Sequence, residues 1–260
     1  MKKIAVAQMH SKTLEIANNL AVIKRLVHEA AAQHADIVLL PELCVTGYRA
    51  DDVFSSLAEP LDGAFVNAFT QLSAENGGIQ IYTSVPERNS KGGLPYNTAI
   101  LVTENGMTAF YRKIHLWGSE VNYFTPGNQL CCAETSIGRA GLMVCFDVSF
   151  PEVARAHALG GADALFYTFA FSNPARAYAF DIFTRARALE NGCYVAAANM
   201  VGVEKDTCFF GSSCIIDPAG NIVADAQNRE GVVSADFDLG LLEEVRTRYP
   251  YLSCRKHDIY

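Results

Sequence analysis

Apolar positions in this chain switch repeatedly between the short solid or alternating runs of strands and the 3.6-residue spacing of helices. Ile4–Met9 is a brief apolar run, Leu20, Ile23, Val27, Ala30 and Ala31 recur at helical spacing, and Ile37–Leu40 returns to strand, a β-α-β opening. A second helix is predicted over Phe65–Glu75, stopped by Asn76-Gly77-Gly78, with strands at Ile79–Val85 and Asn97–Val102. Glu104-Asn105-Gly106 is a hairpin signal joining Asn97–Val102 to Met107–Tyr111, which sets an antiparallel connection inside the alternating pattern. Gly141–Cys145 then leads to a helix near Phe150, a strand at Ala164–Phe169, a helix from about Arg176 to Glu190 and a strand at Cys193–Ala198. Ser213–Ile216 and Ile222–Ala224 flank the turn Asp217-Pro218-Ala219-Gly220-Asn221, and Gly231–Ala235 precedes a last helix, Leu239–Thr247. The pattern predicts an α/β fold, a mixed sheet system with helices outside.

There is no internal repeat, low-complexity stretch or Pro/Gly/Ser linker, so one domain across 1–260 is expected. Half of the residues are hydrophobic and 19% are charged, enough apolar material for a deep core and too little charge for disorder. The tail from about 248 to 260 carries Tyr249, Tyr251, Leu252 and Tyr260, and its aromatics predict packing on the body or on a partner subunit.

Charge and cysteine usage narrow the function. With 21 basic and 28 acidic residues the net charge is -7, and no basic stripe carries interleaved aromatics, which argues against nucleic acid. Lys2 and Lys3 precede an apolar run only six residues long, Ile4–Met9, too short for a signal segment, and no stretch is long and apolar enough to cross a bilayer. A cytoplasmic protein with no membrane partner is expected. Eight cysteines without a secretory signal read as reduced thiols, and no C-x-x-C pair or His cluster points to zinc.

Three segments bear chemistry at strand ends. Glu42 follows Ile37-Val38-Leu39-Leu40-Pro41, where a carboxylate can act as a base if burial raises its pKa. Lys113 ends Phe110-Tyr111-Arg112, where an ammonium can hold an oxyanion. Cys145 follows Gly141-Leu142-Met143-Val144 and leads into Ser149-Phe150-Pro151-Glu152, a strand-to-helix turn. A helix N-terminus there is expected to lower the thiol pKa, and the Phe146 amide is the nearest oxyanion donor. Singly these read first as a loop carboxylate, a solvated basic pair and a core cysteine. Together they offer a base, an oxyanion-stabilising cation and a sulfur nucleophile for acyl transfer. His115 can pair with the cysteine or orient its loop by hydrogen bonding.

In order and spacing, the three segments resemble the nitrilase superfamily of carbon–nitrogen hydrolases. Gln8, Thr46-Gly47-Tyr48, Tyr96-Asn97-Thr98-Ala99, Phe124-Thr125-Pro126-Gly127 and Arg187-Ala188-Leu189-Glu190-Asn191 extend the resemblance along the chain. It implies a four-layer αββα sandwich, usually paired as a homodimer or larger assembly through helices and the C-terminal tail. It also implies Cys145 as nucleophile, Glu42 as general base, Lys113 as stabiliser of the tetrahedral intermediate, and Glu120 as a second pocket carboxylate, with no metal or organic cofactor. Tyr48, Phe146 and Phe171 become the substrate-binding candidates.

Phe169-Ala170-Phe171-Ser172 is more apolar than the corresponding run in many members, which predicts a tighter, greasier pocket. Arg248-Tyr249-Pro250-Tyr251-Leu252, with Arg255 and Tyr260, is similar to bacterial short-chain amidases, including those acting on 5-aminopentanamide. The expected reaction is hydrolysis of a small linear carboxamide. N-carbamoyl hydrolysis and nitrile hydrolysis are the neighbouring activities. Outside that class stand a catalytically silent binding protein and a thiol redox protein using Cys131, Cys132 and Cys145.

Overall fold

The computed structural model describes every residue except His257 and Tyr260, so the Tyr260 part of the tail reading lies outside the described residues. Five of the six strands of one mixed sheet are β1 (Lys2–Gln8), β2 (Ile37–Leu39), β3 (Gln80–Glu87), β4 (Tyr96–Thr103) and β5 (Gly106–Arg112), in that spatial order. A second contains β6 (Cys132–Thr135), β7 (Gly138–Val144), β8 (Ala164–Thr168) and β9 (Tyr194–Ala198). A separate hairpin joins β10 (Val201–Glu204) to β11 (Thr207–Phe210). β12 (Cys214–Ile216) and β13 (Ile222–Asp225) extend the second sheet beyond β9, and β14 (Gly231–Phe237) returns to pair antiparallel with β1.

Each sheet has a parallel centre, β1-β2-β3 in one and β7-β8-β9 in the other, because a helix connects those strands. α1 (Ile16–Ala32), the short α2 (Phe54–Leu57) and α3 (Ala64–Glu75) belong to the first half of the chain. α4 (Pro151–Leu159) and α5 (Ala177–Asn191) belong to the second, and α6 (Leu239–Arg248) closes it.

Strand alternation sorts the core into layers. In the first sheet Ile4, Val6, Ile37 and Leu39 point at the other sheet and meet Leu142, Val144 and Phe166. Their neighbours Ala5, Ala7 and Val38 point outward onto Ile23, Leu26 and Val27 of α1 and Phe65, Val66 and Phe69 of α3. α4 and α5 cover the outside of the second sheet through Val153, Ala154, Phe180 and Ala188. The architecture is therefore helix, sheet, sheet, helix, and burial on both faces explains why these strands read as solid apolar runs.

The two sheets leave their strand ends on one side, and the chemistry-bearing segments emerge there. Glu42 lies three residues beyond β2, Lys113 directly beyond β5 and Cys145 directly beyond β7. The sequence reading did not anticipate β6 or the β10–β11 hairpin. Both are short, and the exposed Val203 and Cys208 blur the alternation of the hairpin. In the tail, Leu252 packs against the main core, whereas Tyr249 and Tyr251 stack on one another and stay substantially exposed.

Candidate active site

Glu42 is wholly buried, which raises its pKa because the charged form loses water; Lys113 acts in the opposite sense and Glu120 adds to the rise. Its Oε1 accepts hydrogen bonds from Lys113 Nζ at 2.7 Å and Asn97 Nδ2 at 2.7 Å, and Oε2 accepts from the Ala170 amide at 3.0 Å. The backbone reverses just after it, with Leu43 at φ 50° and its amide donating to Ser84 Oγ at 3.0 Å.

Lys113 is equally buried and touches both carboxylates, reaching Glu120 Oε1 at 2.8 Å. Burial alone pushes an ammonium toward neutrality, but Glu120 and Glu42 outweigh it and the net shift is upward, so the lysine stays charged. Glu120 also accepts from the Tyr48 hydroxyl at 2.7 Å and the Trp117 amide at 2.8 Å. Burial beside this acidic pair holds the Tyr48 phenol far above its usual pKa, leaving it a donor.

Cys145 sits at the start of a 3-10 turn, Cys145–Ser149, with φ 42°, a left-handed conformation that a non-glycine residue adopts only when its surroundings enforce it. Asp147 supplies that enforcement, as its Oδ2 accepts from the Val144 amide at 3.0 Å and the Tyr111 hydroxyl at 2.8 Å. The Phe146 N–H heads the same turn, where backbone donors lack acceptors within the helix.

The expected lowering of the thiol pKa is overturned. Burial raises Cys145 well above the ordinary thiol range, Glu42 adds to the rise, and Lys113 offsets only part of it. Helix termini and a single cation lose here to desolvation and a neighbouring carboxylate. The resting site is thus a neutral thiol beside a carboxylate–ammonium–carboxylate cluster.

The thiol opens onto a cavity of about 420 Å³ walled by Tyr48, Trp117, Phe146 and Phe171. Phe171 is held edge-on by Phe180 and Phe210, and Phe146 by Trp117 and Phe150. The cavity is less greasy than expected, because Arg49, Ser119, Ser149, Asn173, Arg176 and Thr207 also line it. Thr207 comes from the unanticipated hairpin, which is tied to the Phe171 segment by the Ser172–Phe209 bridge.

All four acyl-transfer candidates and the three substrate-binding candidates therefore converge on one place. His115 does not reach the thiol in the manner of a dyad. It bonds to Asp147 and stacks on Phe150, with ring centroids 3.7 Å apart. Asn97, Asp147, Ala170 and Arg176 join the site beyond the residues expected from the sequence. Asn97 and Asp147 stood inside recognised motifs, whereas the roles of the Ala170 amide and Arg176 depend on tertiary placement. No group of three or more His, Cys, Asp or Glu side chains able to hold a metal occurs among the described residues. No helix among them is long and apolar enough to cross a membrane.

Residues 3–247 match the carbon-nitrogen hydrolase family, and the chain belongs to that family. A probable nitrilase of Schizosaccharomyces pombe is 36% identical over 99% of this chain and 96% of its own length. An omega-amidase of Danio rerio is 32% identical, again over 99% and 96%. A solved mutant amidase from Nesterenkonia sp. AN1, in complex with acrylamide, superposes with TM-score 0.87 at 26% identity, covering 99% of this chain and 95% of that one. A second mutant of that amidase, with TM-score 0.85 and 28% identity over 99% and 95% of the chains, carries the acetamide moiety of fluoroacetamide covalently on the active-site cysteine. The protein is accordingly a carbon–nitrogen hydrolase with the two-sheet, helix-flanked fold of its relatives.

Proposed function

We propose that this protein hydrolyses a small linear carboxamide to a carboxylic acid and ammonia through a thioester on Cys145. The observation that carries the reading is the cluster in which Lys113 Nζ lies 2.7 Å from Glu42 and 2.8 Å from Glu120 beside a buried thiol. Glu42 takes the thiol proton as sulfur attacks the amide carbon. The tetrahedral oxyanion is held by Lys113 and the Phe146 N–H. Negative charge passes from Glu42 to that oxyanion while Lys113 remains between them, so the total charge of the buried site is unchanged. The C–N bond then breaks, Glu42 gives its proton to the departing ammonia, and water activated by Glu42 cleaves the thioester.

The adduct on the active-site cysteine of the Nesterenkonia amidase and its acrylamide complex support the amide and nucleophile assignments. The similarity to a probable nitrilase supports nitrile hydrolysis as the second reading. A silent binding protein would not need to keep a strained cysteine against a buried carboxylate.

The match over residues 3–247 favours one domain throughout. Eight free cysteines suit a reducing compartment, the cytoplasm. A homodimer is favoured by Tyr178, Ile182 and Leu189, apolar residues exposed along α5. The deciding experiment is ammonia release from matched carboxamides, N-carbamoyl amino acids and nitriles, with Cys145→Ala as control. Selective, Cys145-dependent release from carboxamides is expected, and preference for either other class would overturn the amide assignment.

A further inference from the structure

The walls of the cavity differ in charge from its floor. Behind Cys145 lie two carboxylates and one ammonium, a net negative floor that favours a neutral amide end. Arg49, which lines the cavity, is matched by Asp51 at 3.4 Å and by Asp206, neither of which lines it, while Asp51 also takes Lys205 at 2.8 Å. The charge of Arg49 is therefore already matched by carboxylates. Glu204, buried behind Arg49 and accepting its backbone N–H at 2.9 Å, does not line the cavity.

Arg176 is the exception. It lines the cavity from the turn before α5, is exposed, and has no carboxylate partner among the described residues. Its guanidinium instead lies 5.8 Å from the Trp117 ring centroid, and Trp117 packs edge-on against Phe146, the residue after the nucleophile. A guanidinium beside an aromatic ring is weakly hydrated and keeps its planar fork of donors, a geometry that matches a carboxylate in two hydrogen bonds.

We propose that Arg176 determines specificity, and that the preferred substrate is an amide bearing a carboxylate at the end remote from the scissile bond. This deepens the amidase reading and rests on it. The aromatic walls would cover the methylene chain, the floor would take the amide, and Arg176 would take the anion. An ω-amino amide, resembling 5-aminopentanamide, would bring another cation beside Arg49 and Arg176 in a cavity that no Asp or Glu lines among the described residues.

The test compares three amides of equal chain length ending in methyl, carboxylate or ammonium, by kcat and KM, in the intact protein, Arg176→Gln and Arg176→Lys. The expected order is carboxylate, methyl, ammonium, with the carboxylate preferred over methyl by about tenfold, as charge-assisted hydrogen bonds would give. Arg176→Gln should erase that preference chiefly through KM. Arg176→Lys should restore part of it, and added salt should weaken it. Equal use of carboxylate and methyl amides, or a preference untouched by Arg176→Gln, would overturn the proposal while leaving the amidase reading standing. Absence of Cys145-dependent ammonia from all three would instead sink the amidase reading. Calorimetric binding of the carboxylate amide to Cys145→Ala, with and without Arg176→Gln, then reads the Arg176 contact without turnover: affinity lost with the arginine supports it, and equal affinity overturns it.

Discussion

Asp147 and His115 clamp together the two loops that carry the sulfur and the ammonium, with Asp147 Oδ1 2.8 Å from His115 Nδ1. His115 lies two residues beyond Lys113, and Asp147 two beyond Cys145, so one contact between them sets the spacing of both groups. The remaining Asp147 oxygen holds Tyr111, two residues before Lys113, and the Val144 amide, one before Cys145. Both strands are thereby pinned just before they deliver their functional side chains.

Asp147→Asn would place an NH2 group against donors that a carboxylate now satisfies. We expect a folded protein destabilised by about 1–3 kcal/mol, the cost of leaving a buried donor unpaired. Its kcat should fall while KM changes little, because the loss falls on the placement of the thiol and the Phe146 N–H. Steady-state kinetics beside urea unfolding decide this, and an unchanged kcat would show that the clamp is dispensable.

Lys113→Met should be harsher on stability than any single hydrogen-bond change. It leaves Glu42 and Glu120, both buried, without the cation they share through 2.7 and 2.8 Å contacts. Removing one member of such a cluster typically costs about 3–5 kcal/mol. Adding Glu42→Gln and Glu120→Gln to Lys113→Met should recover much of the loss, because no buried charge is then stranded. Denaturant midpoints across the series test that pattern, and a triple variant no more stable than the single one would contradict it.

The pH behaviour follows from two upward shifts. Glu42 must be ionised to take the proton, and burial raises its pKa above 4.5, so the acid limb of kcat/KM should lie above the ordinary carboxylate range. The same shift gives a stability contribution fully present below the unfolded-state pKa and lost as pH rises through the folded one. Cys145, also raised, should show no thiolate absorbance near neutral pH beyond that of Cys145→Ala. A thiolate signal in the resting enzyme at pH 7 would mean that the cysteine is pre-ionised and that Glu42 is not needed to deprotonate it.

The lesson of Cys145 generalises. The strand-end context was legible because apolar Gly141–Val144 runs into Ser149-Phe150-Pro151-Glu152, the apolar run Ile37–Leu40 stops at Pro41-Glu42, and Lys113 ends Phe110-Tyr111-Arg112. The sign of the thiol shift was not, since the helix-terminus effect is local, whereas the burial that defeats it arises only on folding and Glu42, which adds to the rise, lies 103 positions earlier in the chain. A mixed sheet system with helices outside was legible because the central strands are apolar on both faces, whereas the four layers followed only from the family resemblance. The β10–β11 hairpin was not, because its partner surfaces near Ser172 and Arg49 come from distant segments. Nothing in the sequence sets Arg176 apart; its place on the cavity wall, 5.8 Å from the Trp117 ring centroid, marks it out.

Tyr178, Ile182 and Leu189 are respectively 66%, 57% and 46% exposed and recur every four to seven residues on α5. Tyr249 and Tyr251, which together with Asn191 and Gly192 line a shallow pocket, are 43% and 47% exposed. If a second copy covers the α5 face, Ile182→Glu should reduce the mass measured by light scattering while leaving the far-UV spectrum intact. An unchanged mass would remove α5 from the interface.

Gly127 tests whether backbone approach, rather than side-chain chemistry, holds Lys113 in place. Its amide donates to the Lys113 carbonyl at 2.8 Å, and a Cβ built on it would stand 2.1 Å from the Arg112 carbonyl oxygen. No rotamer change relieves that collision, because the obstacle is backbone. Gly127→Ala must therefore shift either its own loop or the end of β5, and the second moves the ammonium away from Glu42 and Glu120. We expect a kcat loss of about tenfold or more, since small misplacements of a catalytic group cost that much. The loss should come with a lower unfolding midpoint. Full activity in Gly127→Ala would show that the loop yields instead and that the close approach does not position Lys113.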